Sequence, residues 1–187
     1  MTDGSCPQPR EGSLDEALRS TFPASDAFAL ARAPMREPGP RPAQIAHLNR
    51  VLANLFALYV ATKGCHWHAS GPHFHDHHRL FDAQATELLA TIDPVAERVR
   101  KLGAGTISSL WNVEMLATRR YPPLCTPQDT LRWLLEENRT LADLLREAHA
   151  LSASAGDIAS VGLLEEWIDQ AEGRIWFLFE ASSSDQR

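Results

Sequence analysis

From about residue 43 onward, apolar side chains recur at alternating steps of three and four, the period of one face of an α-helix. Four long segments keep this rhythm. The first, about 43 to 69, places Leu48, Leu52, Leu55, Tyr59, Thr62 and His66 on one stripe. The second, about 72 to 102, carries Phe81, Ala85, Leu88, Ile92, Val95, Val99 and Leu102. A third, about 127 to 153, is expected to bury Leu131, Leu134, Leu135, Leu141, Leu145 and Ala148. The fourth, about 157 to 181, is expected to bury Val161, Leu164, Ile168, Ala171, Ile175 and Leu178. Amphipathic helices of this length hide their stripes against one another, so the expected fold is all-α, a four-helix bundle.

The chain breaks agree with that division. Gly71-Pro72 separates the first two helices, with Pro72 expected to open the second and Gly103 to end it. Pro94 lies inside the second helix and offers no N–H to the carbonyl four residues back, which predicts a bend near Asp93. The connection from 104 to 125 is expected to hold a short helix through Leu110, Trp111 and Met115. Thr126-Pro127 reads as an N-cap followed by proline at the first helical position, and Asp157 as the cap of the fourth helix.

Residues 1 to 42 contain seven of the twelve prolines and read as a largely disordered tail. Within it, Ser13 and Glu16 form a capping box ahead of Leu14, Leu18 and Phe22, which predicts a short helix at 14 to 21. Residues 43 to 182 then form one domain, with 183 to 187 as a short tail. The 187 residues, 44% hydrophobic, suffice for one core, and no apolar run approaches the ~18 residues of a membrane span. No secretory signal is visible, so a cytoplasmic location is expected, and Cys6, Cys65 and Cys125, which form no CxxC, read as free thiols. The net charge of −6, with Lys63 and Lys101 the only lysines, gives no general attraction for nucleic acid.

The chemistry concentrates between His66 and Glu97. His78/Asp82 and Asp93/Glu97 are four apart, a spacing that projects both members of a pair from one helix face. Imidazole and carboxylate donors without a thiolate suit iron, manganese or zinc better than copper(I), with iron favoured. Six histidines lie between His66 and His78, so the acidic half discriminates more. At about 100° per residue, His78, Asp82, Asp93 and Glu97 form one stripe, centred roughly 120° from the core stripe of their helix. It should therefore face another surface.

One chain cannot close a site along this helix, because Asp82 and Asp93 are separated by roughly 16 Å of axial rise. His66 and His78 each lie six residues from Pro72, so a hairpin brings them level, near Asp82. The spacing implies two half-sites, His66/His78/Asp82 and Asp93/Glu97. A two-fold dimer with antiparallel second helices would join them into two composite sites.

Those residues lie in KGCHWHASGPHFHDHHRLFDAQATELLATIDPVAERVRKLG (Lys63 to Gly103), a run that resembles the Dps family of bacterial mini-ferritins, ferritin-like four-helix proteins. The similarity extends more weakly over 43 to 181, including WIDQAEGRIWFLFEA in the last helix. The resemblance implies a ferroxidase in which His66, His78 and Asp82 supply one half-site and Asp93 and Glu97 the other. It implies a hollow dodecamer that oxidises Fe²⁺ to Fe³⁺, preferentially with hydrogen peroxide rather than oxygen, and stores the ferric mineral. Trp67, beside His66, would by the same resemblance quench stray oxidising equivalents. Relatives that condense DNA often use a basic tail, whereas residues 1 to 42 carry five arginines, no lysine and six acids, which argues against DNA binding.

Two other functions compete with iron oxidation: a nucleoid-associated DNA-coating protein, and a helical protein that buffers zinc or nickel without redox chemistry. His68, His73, His75 and His77 fall outside the family pattern and are expected at the surface, although His73/His77 could hold an accessory metal. Trp111, Trp133, Trp167 and Trp176 are expected in core or interface packing, and Lys63 and Arg98 in ion pairs near the acidic site. His47 and His149 belong to no motif.

Overall fold

The computed structural model describes residues 41–118 and 126–183, which form five helices and no strand. They are α1 (Arg41–Trp67), α2 (Phe74–Lys101), α3 (Leu110–Leu116), α4 (Pro127–Ser154) and α5 (Ile158–Ser183). Helix α1 packs against α2 and α4, α4 packs along α5, and the short α3 lies against α1. None of the described helices is long and apolar enough to cross a membrane.

Contacts at the two ends set the topology. Pro127, opening α4, packs against Gly71 in the α1–α2 turn. At the opposite end, Asp157 ahead of α5 accepts hydrogen bonds from Arg98 near the end of α2 and from Gln44 near the start of α1. Helices α2 and α4 therefore run parallel, and residues 105–118 between them run back along α1. Asn49 donates to the Gly105 carbonyl at 3.2 Å, and Asn54 accepts from the Thr118 amide at 3.0 Å. One long crossover in a four-helix bundle is the ferritin-like arrangement.

The caps expected at two helix starts, Thr126 and Asp157, are present, and a third that was not expected, Ser109, is found. Thr126 Oγ1 accepts from the Asp129 amide at 3.1 Å, and Asp157 Oδ1 from the Ser160 amide at 3.2 Å. Ser109 does the same for Asn112 at 3.3 Å, starting α3. Pro72, however, does not open α2. The Phe74 amide donates to the Gly71 carbonyl at 3.1 Å, so Pro72 takes the second position of a tight turn, where its fixed φ suits it. Gly71 has φ +91°, open to glycine at little cost. Helix α2 continues through Pro94 to Lys101, and Ala90, whose carbonyl loses its usual partner, is exposed to water.

The core is close to the expected one. Leu48, Leu52, Leu55, Phe81, Leu88, Val95, Val99, Leu131, Leu134 and Leu145 are all buried. Leu102 is only half-buried. On α5 the buried row is Leu164, Trp167, Ala171, Arg174 and Leu178, whereas Val161, Ile168 and Ile175 are half-buried. Trp167 is core, but Trp111 and Trp176 are 67% and 60% exposed within one chain. Cys65 is buried, and burial pushes its thiol up to about 11 despite a backbone hydrogen bond. The helix expected at 14 to 21, and Cys6 and Cys125, lie outside the described residues.

Candidate metal centre

The α1–α2 hairpin places His66, in the last turn of α1, level with His78, in the second turn of α2. Their rings stack with centroids 3.7 Å apart and planes inclined by 24°. His66 Nδ1 lies 2.9 Å from the His78 carbonyl, and His78 Nδ1 lies 3.0 Å from the His66 carbonyl. A carbonyl only accepts, so both Nδ1 atoms carry protons. In the neutral rings the lone pairs then sit on Nε2, the tautomer a metal requires, fixed by the bonds the opposite nitrogens make.

Asp82, one turn beyond His78, is exposed beside this pair. Its Oδ1 lies 4.0 Å from His66 Nε2 and 2.7 Å from Lys63 Nζ. The Lys63 hydrogen bond is the main reason the carboxyl sits below its ordinary value; slight burial opposes it, and the charge of Lys63, with those of His66 and His78 when protonated, assists. Asp82 is thus ionised, and Lys63 holds a place that a divalent cation could take. Phe74 closes the other side, its ring 5.1 Å from that of His78.

Asp93 and Glu97 lie further along α2, both exposed. Glu97 Oε2 pairs with Lys101 Nζ at 2.8 Å, which lowers the carboxyl's pKa. Among the described residues, no three His, Cys, Asp or Glu side chains of one chain come together in a way that could hold an ion. The two groups stay apart on a common face. His78 with Glu97, and Asp82 with Asp93, are each centred on one point between positions 87 and 88. An antiparallel copy of α2 crossing there would bring each group opposite its complement. Leu89, close to that point, is 49% exposed. Periodicity passed over it because it lies outside the core stripe.

Among the described residues, the bundle interior offers no alternative centre. Ferritin-like di-iron proteins can hold metal on inward-facing glutamates and histidines. Here the middle of the bundle holds Arg174, whose Nε donates to Asn138 Oδ1 at 2.8 Å and whose Nη1 donates to Glu87 Oε2 at 2.9 Å. Gln84 adds a bond to the Arg174 carbonyl at 3.3 Å. Burial lowers the Arg174 pKa and Glu87 opposes that shift. A guanidinium among amides repels a cation.

Other sequence expectations fare unevenly. Lys63 does pair beside the candidate centre. Arg98 instead turns to Asp157 and to Ser160, whose Oγ it meets at 2.7 Å, because its side of α2 faces α5. His47 is a buried structural residue, its Nε2 3.1 Å from the Leu144 carbonyl, and His149 lies 3.4 Å from Glu165. Trp67, the last residue of α1, is 66% exposed.

A bundle with one long crossover and a histidine–carboxylate face defines the ferritin-like class, and the family model described as Ferritin-like domain matches residues 45–182. A "DNA protection during starvation protein" of Agrobacterium fabrum is 32% identical over 136 residues, 72% of this chain and 84% of that one. The structure of DpsC from Streptomyces coelicolor superposes with a TM-score of 0.73 at 30% identity, covering 79% of this chain and 88% of that one. A Dps protein from Vibrio cholerae O1, described as a member of a broad superfamily of ferritin-like diiron-carboxylate proteins, gives 0.71 at 25% identity, covering 75% and 89%. The chain belongs to the Dps family of ferritin-like proteins.

Proposed function

We propose that the protein is a ferroxidase that oxidises Fe²⁺ with hydrogen peroxide and stores the ferric product inside a hollow oligomer, a dodecamer built from two-fold dimers. The observation that carries this reading is the His66/His78 pair, held with both Nε2 lone pairs available beside ionised Asp82. Iron is substrate here. His66, His78 and Asp82 of one subunit, with Asp93 and Glu97 of its neighbour, receive ferrous ions. Imidazole nitrogens retain Fe²⁺, while carboxylates favour the harder Fe³⁺ and so ease electron loss. Two Fe²⁺ ions give one electron each to a single peroxide, its O–O bond breaks, and two protons complete two waters. Taking both electrons together avoids release of hydroxyl radical. Trp67 stands beside His66 as a scavenger of stray oxidant. Such chemistry protects a cell, in the cytoplasm, against peroxide. The net charge of −6 weighs against DNA coating as the primary role.

Mixing chains tests both the ligands and their sharing. Chains carrying His66→Ala and chains carrying Asp93→Ala should each lose peroxide-dependent ferric absorbance. Co-refolded in equal amounts, they should regain about a quarter of wild-type activity, because half the dimers are mixed and each mixed dimer rebuilds one of its two sites. No recovery in demonstrably mixed assemblies would remove the shared-site reading.

A further inference from the structure

We infer that His73 and His77 form a second cation site, complete within one chain, for a borderline divalent ion such as Zn²⁺, Ni²⁺ or Cu²⁺. His73 is the N-cap of α2, and the His77 amide donates to its carbonyl at 3.0 Å, so the two residues stand one turn apart at the start of the helix. Two histidines at that spacing on one helix face are a recurrent zinc-binding arrangement. Their ring centroids are 5.9 Å apart with planes tilted by 52°. Imidazoles sharing a tetrahedral ion through bonds of ~2.0–2.1 Å have ring centres roughly 5 Å apart, so closure by about 1 Å completes the chelate.

One ring is already held. His77 stacks on Phe81 with centroids 6.0 Å apart, and Phe81 is buried. The exposed His73 supplies the movement. His77 also lines a cavity of about 210 Å³ with Cys65, His68, Thr126 and Thr130, so water can reach the His77 side of the pair. The positive end of the α2 dipole disfavours a cation there, and Asp76 in the same turn offsets it. Nitrogen donors without a carboxylate select borderline ions over Mg²⁺, Ca²⁺ or Fe³⁺, unlike the mixed donors at His66, His78 and Asp82.

The test uses the assembled full chain with His66→Ala, Asp82→Ala and Glu97→Ala, so its outcome does not depend on the iron reading. Zn²⁺ titrated against a chromophoric competitor should bind at one equivalent per chain, and Cu²⁺ there should show coupling to two nitrogens in its electron paramagnetic resonance spectrum. Adding His73→Gln and His77→Gln should weaken that equivalent at least tenfold and remove the two-nitrogen coupling. The exposed His73→Gln alone should also weaken it, with helicity unchanged. Unaltered binding in the doubly substituted chain would overturn the inference, as would loss of the equivalent on removing the iron ligands alone.

Discussion

Asp157 gathers partners from several helices at one end of the bundle. Burial alone would raise its pKa, but hydrogen bonds from Arg98, Ser160 and Gln44 outweigh that and hold the carboxyl well below its usual range. The sign of the linkage follows. The folded pKa lies below the ordinary aspartate value, so the stabilisation is fully present above that value and is lost as pH falls below it. Asp157→Ala removes a helix cap and strands a partly buried Arg98, at a cost of about 2–4 kcal/mol by denaturant titration at neutral pH. Its melting temperature should also fall less steeply than the wild type's between roughly pH 5 and 2. Equal acid slopes in the two proteins would assign the acid sensitivity elsewhere. The cap was legible in the sequence, because it is a local device. The pairing with Arg98 was not, because the two residues lie 59 positions apart and periodicity does not say which neighbour a charged side chain meets.

Helix α2 carries a proline where an unbroken ladder would be more stable. Pro94→Ala should restore the bond to the Ala90 carbonyl and raise stability by about 1–3 kcal/mol, read from the denaturation midpoint at unchanged slope. The step rule located every long helix to within two or three residues and the stripes of α1, α2 and α4 well. On α5 it placed Leu164, Ala171 and Leu178 correctly but took half-buried Val161, Ile168 and Ile175 in place of Trp167 and Arg174, for a physical reason. Val161, Ile168 and Ile175 repeat at the same spacing as the residues beside them, so the rhythm alone cannot say which row meets α4. Trp167 and Arg174 occupy that seam. An arginine is rarely buried unless paired, and Asn138 and Glu87, which satisfy it, are remote in sequence.

The exposed apolar residues argue that one chain is an incomplete object. Leu110, Trp111 and Met115 on α3 and Trp176, Phe177 and Phe179 on α5 all remain at the surface, more than scattered single residues require. Leu89, near the middle of the face shared by Asp82 and Asp93, supplies the sharpest test of assembly. Leu89→Glu would set two like charges against each other at a two-fold contact. It should lower the native mass and abolish ferric absorbance while leaving helicity intact, and a variant with wild-type mass and activity would rule out that contact. The sequence spacing announced that His66, His78 and Asp82 would lie apart from Asp93 and Glu97 within one chain, since axial rise along a helix is fixed. It could not reveal Arg174 at the centre, and that residue has the larger consequence. If the proposed shared site is where iron is oxidised, a folded single chain, its interior occupied by a guanidinium, would stay inert toward ferrous ion until enough copies had accumulated to meet.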